Sequence, residues 1–252
     1  MDVLISFFNS LPGAFGQGLA WGIMAIGVYI TFRILDIADL TVDGSLATGG
    51  AVAALCITQG WNPWLALLMA VLAGMLAGLS TGLLHTGCGI PAILAGILTQ
   101  LALYSINLRI MAIGDEQATT KATLALSVDR QELLVSSRYI RELTLENPLF
   151  LLVIFTVAVI ALLYWFFGTE LGSALRATGA NQNMARAQGI DANWCKVLGL
   201  VVSNGLVALS GGLLAQYQGS STVDMGRGAI VIGLAAVIIG EVLLGKVFRN
   251  FA

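Results

Sequence analysis

Charged side chains are scarce in this sequence: 12 Lys and Arg with 14 Asp and Glu, 10% of 252 residues, against about 25% in soluble globular chains. That scarcity excludes a soluble domain surface. A net charge of −2 leaves no basic footprint for nucleic acid. The three cysteines, Cys56, Cys88 and Cys195, are scattered and odd in number, so they form neither a disulfide framework nor a metal-ligand spacing. They read as small apolar residues. No G-x-x-x-x-G-K-[ST] string occurs, and Gly245-Lys246 follows an apolar run without a glycine-rich loop, which excludes a P-loop nucleotide site. Basic residues are also missing from the N-terminus, where Asp2 precedes the first apolar residues. This differs from a cleaved signal peptide and is expected to form a short interfacial helix ending near Pro12.

What is abundant is apolar. Hydrophobic residues make up 58% of the chain and its mean hydropathy is +0.89, values of an integral membrane protein. The apolar runs are continuous rather than alternating ten-residue segments, so an all-α polytopic protein is expected and a β-barrel is not. Residues 1–252 read as a single transmembrane domain with about seven transmembrane or re-entrant helices. The spans fall near 14–35, 40–57, up to 84, up to 113, 148–166, 197–215 and 229–244. Thirty glycines suit close helix packing. Gly18 with Gly22, and the stripe Gly74, Gly78 and Gly82, have the small-x-x-x-small spacing of helix contacts. Residues 114–147, with Asp115, Glu116, Lys121, Asp129, Arg130, Glu132, Arg138, Arg141, Glu142 and Glu146, form the one substantial external loop. Counting crossings puts this loop on one side of the membrane, and residues 35–43, 85–90 and 168–195 on the other.

Several polar residues stand out against this background. Asp36, Asp39 and Asp43 border the second span; carboxylates cost several kcal/mol inside a bilayer, so Asp39 and Asp43 are expected to face water, a cation or a helix N-terminus. Asp43 or Ser45 is placed to cap the helix that follows Thr41. Glu241, surrounded by apolar residues, is expected to pair within the bundle or to mark where its helix leaves the membrane. Ser203, Asn204, Ser210 and Gln216 either line a path or bond between helices, and Gln100 and Asn107 give the fourth span a polar interior. Gly78, Ser80 and Gly82 fit the G-x-S-x-G string of serine hydrolases with His85 five residues on. That motif requires a strand, a strained turn and a helix, whereas here it lies in a glycine-rich span, so an intramembrane serine–histidine protease is a minor reading.

The segment 168–195, GTELGSALRATGANQNMARAQGIDANWC, reads as a short amphipathic helix outside the hydrocarbon, too interrupted to cross. Its pattern G-x-x-x-R-A-T-G-A-N-x-x-M-A-x-x-x-G-I-D resembles the cytoplasmic coupling loop of permease subunits of ABC importers of the branched-chain amino-acid and ribose type. DLTVDGSLATGGAV, from Asp39 to Val52, is similar to the broken early helix of those permeases, particularly of the members that take up aromatic amino acids of the tryptophan and tyrosine type. MGRGAIVIGLAAVIIGEVLLG, from Met225 to Gly245, is similar to their late glycine-punctuated segment. The resemblance implies a multi-pass protein of the inner (cytoplasmic) membrane that is not itself an enzyme. Separate cytoplasmic ATPase subunits, which bind ATP and Mg, would dock on Gly172, Arg176, Ala177, Gly179, Asn181, Met184, Ala185, Gly189, Ile190 and Asp191. An extracytoplasmic substrate-binding protein would deliver a small polar solute, an amino acid, and a second, identical permease copy would complete the path. That path is assigned to Asp39, Thr41, Asp43, Ser45, Asn204 and Glu241. The alternative is an ion-coupled secondary transporter or channel using Asp43 and Glu241 as ion sites. Family members continue through further membrane helices after the third match, so the expectation is of a sequence incomplete beyond Phe251-Ala252.

Overall fold

In hydrocarbon every backbone N–H and C=O must be satisfied within its own segment, so each long apolar run becomes a helix. The computed structural model describes residues 2–114, 118–126, 133–136 and 148–248. The order is α1 (Asp2–Tyr29), a π-helical turn (Ile30–Ile34), α2 (Thr41–Thr58), α3 (Pro63–Thr86), α4 (Ala92–Ile110) and β1 (Thr123–Ala125). Then come α5 (Pro148–Gly168), α6 (Glu170–Ala180), α7 (Gln182–Ala187), α8 (Ala192–Gln218), β2 (Ser220–Thr222), a 3₁₀ turn (Val223–Gly226) and α9 (Ala229–Phe248). Among the described residues, seven helices are long and apolar enough to cross a membrane.

The bundle is built around α8 and α2. In the most apolar window of each, 72% of α8 and 78% of α2 residues are buried, against 17% in α5 and in α9, which therefore lie at the periphery. The glycine stripe of α3 seats it on α8: a Cβ at Gly78 would overlap the Leu200 carbonyl, one at Gly74 the Asn204 carbonyl, and one at Gly82 would lie 3.1 Å from Val197 Cα. Removing side chains from this seam lets the backbones touch, as small-residue helix packing requires. Hydroxyls stitch α8 to α1. Ser203, Ser210 and Tyr217, seven residues apart, donate to the carbonyls of Gly27 (2.7 Å), Ala20 (2.7 Å) and Gly13 (2.8 Å), also seven apart and in reverse order. The two helices are thus antiparallel, and of the two roles open to Ser203 and Ser210 the structure shows the interhelical bond.

Several expectations are corrected. No separate helix ends at Pro12; α1 is continuous through it, since proline is tolerated where neighbouring groups absorb the lost bond. Among the described residues no atom lies within 4 Å of where a Cβ on Gly18 or Gly22 would sit, whereas Gly27, which the spacing did not single out, packs on Ser203 and Val207 of α8. The segment after α1, residues 35–40, is not simply a turn beyond the end of the bundle. Leu35, Ile37 and Asp39 are buried, and α2 begins level with Asn204, midway along α8, because Ser45 bonds that residue. After α8 the chain folds back along α2, so that Gly50 faces Met225 and Ser221 while Gly226 abuts the Asp43 carbonyl. The charged loop contributes β1, which pairs antiparallel with β2 (Thr123 opposite Thr222), and buried Leu126 and Val135. Its residues Asp115, Glu116, Asp129, Arg130, Glu132, Arg138, Arg141, Glu142 and Glu146 lie outside the described residues.

Candidate functional site

The start of α2 gathers a buried polar chain from five segments. Asp39, 3% exposed, accepts the Thr41 N–H at Oδ1 (2.9 Å) and the Asn204 amide at Oδ2 (2.7 Å). Asn204 in turn accepts the Ser45 hydroxyl (2.5 Å) and donates to Leu200 O (3.0 Å). On the other side the Thr41 hydroxyl lies 2.8 Å from that of Thr81, which donates to Thr99 (2.9 Å). The chain therefore ties the linker and α2 to α8, α3 and α4. It is Asp39, not Asp43 or Ser45, that satisfies a free amide at the head of α2. A buried carboxylate is tolerable here because donors meet both of its oxygens.

Asp43 caps a different helix. Its two oxygens accept the N–H groups of Gly228 (3.0 Å) and Ile230 (3.0 Å), the free amides at the head of α9. Negative charge at a helix N-terminus is favourable, and these amides have no intrahelical acceptor. Two helices, α2 and α9, thus begin inside the bundle within a few residues of each other. Between α2, α4 and the turn before α9 lies a cavity of about 310 Å³ lined by Asp43, Gln100, Tyr104, Asn107 and Arg227, among others.

Glu241 is not with this group. It pairs with Arg33 Nε (2.8 Å), joining α9 to the end of α1, and both side chains are substantially exposed. The path assignment thus divides: Asp39, Thr41, Ser45 and Asn204 form one network, Asp43 borders the adjoining cavity, and Glu241 stands apart because its helix runs away from α2. Ser80 and His85 do not meet as nucleophile and base. Ser80 donates to Ala77 O (2.7 Å), while His85 Nδ1 lies 2.8 Å from Ile90 O. Five residues along a helix turns a side chain through roughly 140°, so the hydrolase string is a coincidence of composition.

The 168–195 segment folds as two helices rather than one. Asn181 adopts an extended conformation and its side chain caps α7 through the N–H groups of Asn183 (3.0 Å) and Met184 (3.1 Å). Asp191 caps α8 the same way, through Asn193 (3.0 Å) and Trp194 (3.2 Å). One face is buried: Gly172, Leu175, Thr178 and Ala185. Gly179 also turns inward, where a Cβ would overlap the Ile34 carbonyl, so α6 rests on the π-helical end of α1. Gly172 and Gly179 therefore seat the segment and are not part of its outer surface. That surface carries Leu171, Met184 (60% exposed), Trp194 (58% exposed), Arg176, Asn181, Arg186, Gly189 and Asp191, with Ala177 and Ile190 half-buried at its edge. Arg176 bonds the Phe167 carbonyl at the end of α5 (3.0 Å) and Arg186 bonds Asn193 (3.1 Å), so each arginine also serves a helix terminus.

The profile of the family described as branched-chain amino acid transport system / permease component matches residues 11–251. The chain belongs to that permease family. A tyrosine transport system permease protein of Clostridioides difficile (strain R20291) is 42% identical over 208 residues, 82% of this chain and 65% of its own length. An uncharacterized protein of Rickettsia prowazekii (strain Madrid E), RP368, is 35% identical over 216 residues, 86% of this chain and 71% of its own length. The chain thus spans just under two thirds of the length of the tyrosine permease. No solved structure matches.

Within this permease fold, sequence reasoning missed Gln100, Tyr104, Asn107 and Arg227 as site residues. A signal was available for Arg227: an arginine between two glycines at the head of an apolar helix is costly unless it lines a polar space. Gln100 and Asn107, seven residues apart, share one face of α4. Among the described residues no group of three or more His, Cys, Asp or Glu is placed to hold a metal ion.

Proposed function

We propose that this permease is the transmembrane subunit of an ABC importer in the inner (cytoplasmic) membrane. It carries an amino acid by alternating access, working as a pair with a second, identical copy. Two cytoplasmic ATPases, which bind the ATP and Mg, dock on the outer face of α6 and α7, and an extracytoplasmic binding protein delivers the solute at the β1–β2 end. The similarity to a permease named for tyrosine transport supports an amino acid as cargo.

The observation that carries this reading is the seating of α6. Its Gly179 abuts the Ile34 carbonyl, and five residues further along the chain Asp39 holds Asn204 and the head of α2. Between them Asp36 has a positive φ of 55°, a conformation uncommon for a residue with a Cβ. A push on α6 is thereby delivered to the short linker, residues 35–40, that positions α2. Of the two acids that the secondary-transporter reading uses as ion sites, Glu241 is paired with Arg33 and stands apart from Asp43, which holds the head of α9; no observation favours that alternative. The test is recruitment of the cognate ATPase to purified permease. Met184→Asp, on the exposed face, is expected to abolish co-purification and ATP-driven uptake while the protein elutes as wild type. Unchanged recruitment would remove the docking assignment.

A further inference from the structure

The polar chain around Asp39 is closed: each of its groups has a partner. The cavity beside it is not. Asn107 is 0% exposed, lines the cavity, and among the described residues neither its side-chain oxygen nor its nitrogen has a hydrogen-bond partner. Buried amides are almost always paired, and an orphan of this kind calls for a missing partner. The opposite wall supplies both signs of charge. Asp43 uses one acceptor position on each oxygen for the α9 amides, and a carboxylate oxygen has a second. Arg227 spends its Nε on Asp224 (3.0 Å), and among the described residues its terminal amino groups are left to form a two-pronged contact with a carboxylate. The Tyr104 ring, Leu101, Val223 and Ala47 make up the apolar lining.

An acid, a guanidinium and an unpaired amide that can both donate and accept match one class of small molecule: a zwitterionic α-amino acid with an apolar or aromatic side chain. We infer that this cavity is the permease's own solute subsite. Arg227 holds the α-carboxylate and Asp43 the α-ammonium, the unpaired Asn107 amide completes the contacts by turning into the cavity, and the side chain lies against Tyr104 and Leu101. The position fits the role, since two helices begin at this level of the bundle, the arrangement that places solute sites midway through transporter folds. The size is at the lower end of the range for small-molecule pockets. The inference rests on the transport reading above and names the site at which that transport selects its cargo.

The test is saturation-transfer NMR on the purified wild-type chain in nanodiscs of phosphatidylcholine alone, which carry no primary-amine head group to compete. The probe is L-phenylalanine, with phenethylamine, which lacks the carboxylate, and 3-phenylpropionate, which lacks the ammonium, as controls. Wild type is expected to bind L-phenylalanine saturably and neither control comparably. Asn107→Leu and Arg227→Gln are each expected to weaken binding tenfold or more, with wild-type elution and wild-type ATPase recruitment. Asn107→Gln, which keeps the amide, should restore part of the loss. Variants that bind as wild type does, equal binding of the controls, or no wild-type binding would each overturn the subsite. ATP-driven uptake by the assembled transporter is measured separately: if it persists in that case, only the subsite falls, whereas its absence in wild type removes the transport reading.

Discussion

Asn204 has one orientation that satisfies its surroundings. Its oxygen faces the Ser45 hydroxyl and its nitrogen faces Asp39 and Leu200 O, so the Asp39 carboxylate sets the direction of the amide. Asp39→Asn puts a donor where one of two donors already points, towards the Thr41 N–H or the Asn204 amide. The expected loss is about 1–3 kcal/mol, read as a lower denaturation midpoint in detergent, together with weakened uptake. Wild-type stability and uptake would show that the carboxylate is incidental. Asp43→Asn retains one acceptor of two at the head of α9 and should cost about 1 kcal/mol, with expression preserved. At this scale the sequence was partly legible. Carboxylates in a hydrophobic run announced that Asp39 and Asp43 must have partners, and a helix N-terminus was among the partners named for Asp43. Which helix it caps was not legible, since Gly228 and Ile230 are 185 and 187 residues away and no local pattern encodes that meeting.

The helices themselves were legible because hydropathy marks each span and small residues mark the seams. The α3 stripe illustrates it: Gly78→Leu drives a side chain into the Leu200 carbonyl and should cost more than the roughly 1–3 kcal/mol of ordinary overpacking, seen as loss of the monodisperse peak in detergent. Ser80→Ala removes only a hydroxyl bonded to its own helix, and should leave stability within about 0.5 kcal/mol. An equal effect from the two would contradict the packing described for α3. The depth at which α2 and α9 begin could not be read from hydropathy, because a helix that starts midway through the bundle is as apolar as one that starts at its edge. The same limit hid the division of the 168–195 segment. Asn181 breaks it by turning its side chain onto the amides of Asn183 and Met184, a local device that the amphipathic pattern runs across. Gly179→Leu should shift α6 off the end of α1 and uncouple ATP hydrolysis from uptake while Met184 stays exposed. ATPase stimulation and transport measured together check this, and a variant that keeps both in step would show that the seat of α6 is not where motion is passed on.

On the scale of the whole molecule, α5 and α9 have little buried surface of their own, and the large apolar side chains of α5, such as Phe150, Ile154 and Val157, point away from the bundle. Lipid and a second permease copy are the surroundings that the proposed assembly supplies. The membrane class and the permease family were legible from composition and three motifs spread along the chain. The cavity was not, because its lining comes from α2, α4 and the turn before α9, three stretches that only folding brings together.

The most direct measurement is uptake of a labelled amino acid into proteoliposomes holding this permease with its ATPase and binding protein, with ATP enclosed or depleted and the ion gradients set independently. The account predicts uptake that requires ATP and is indifferent to collapse of the proton and sodium gradients. Uptake that continues without ATP and stops when those gradients are dissipated would contradict it.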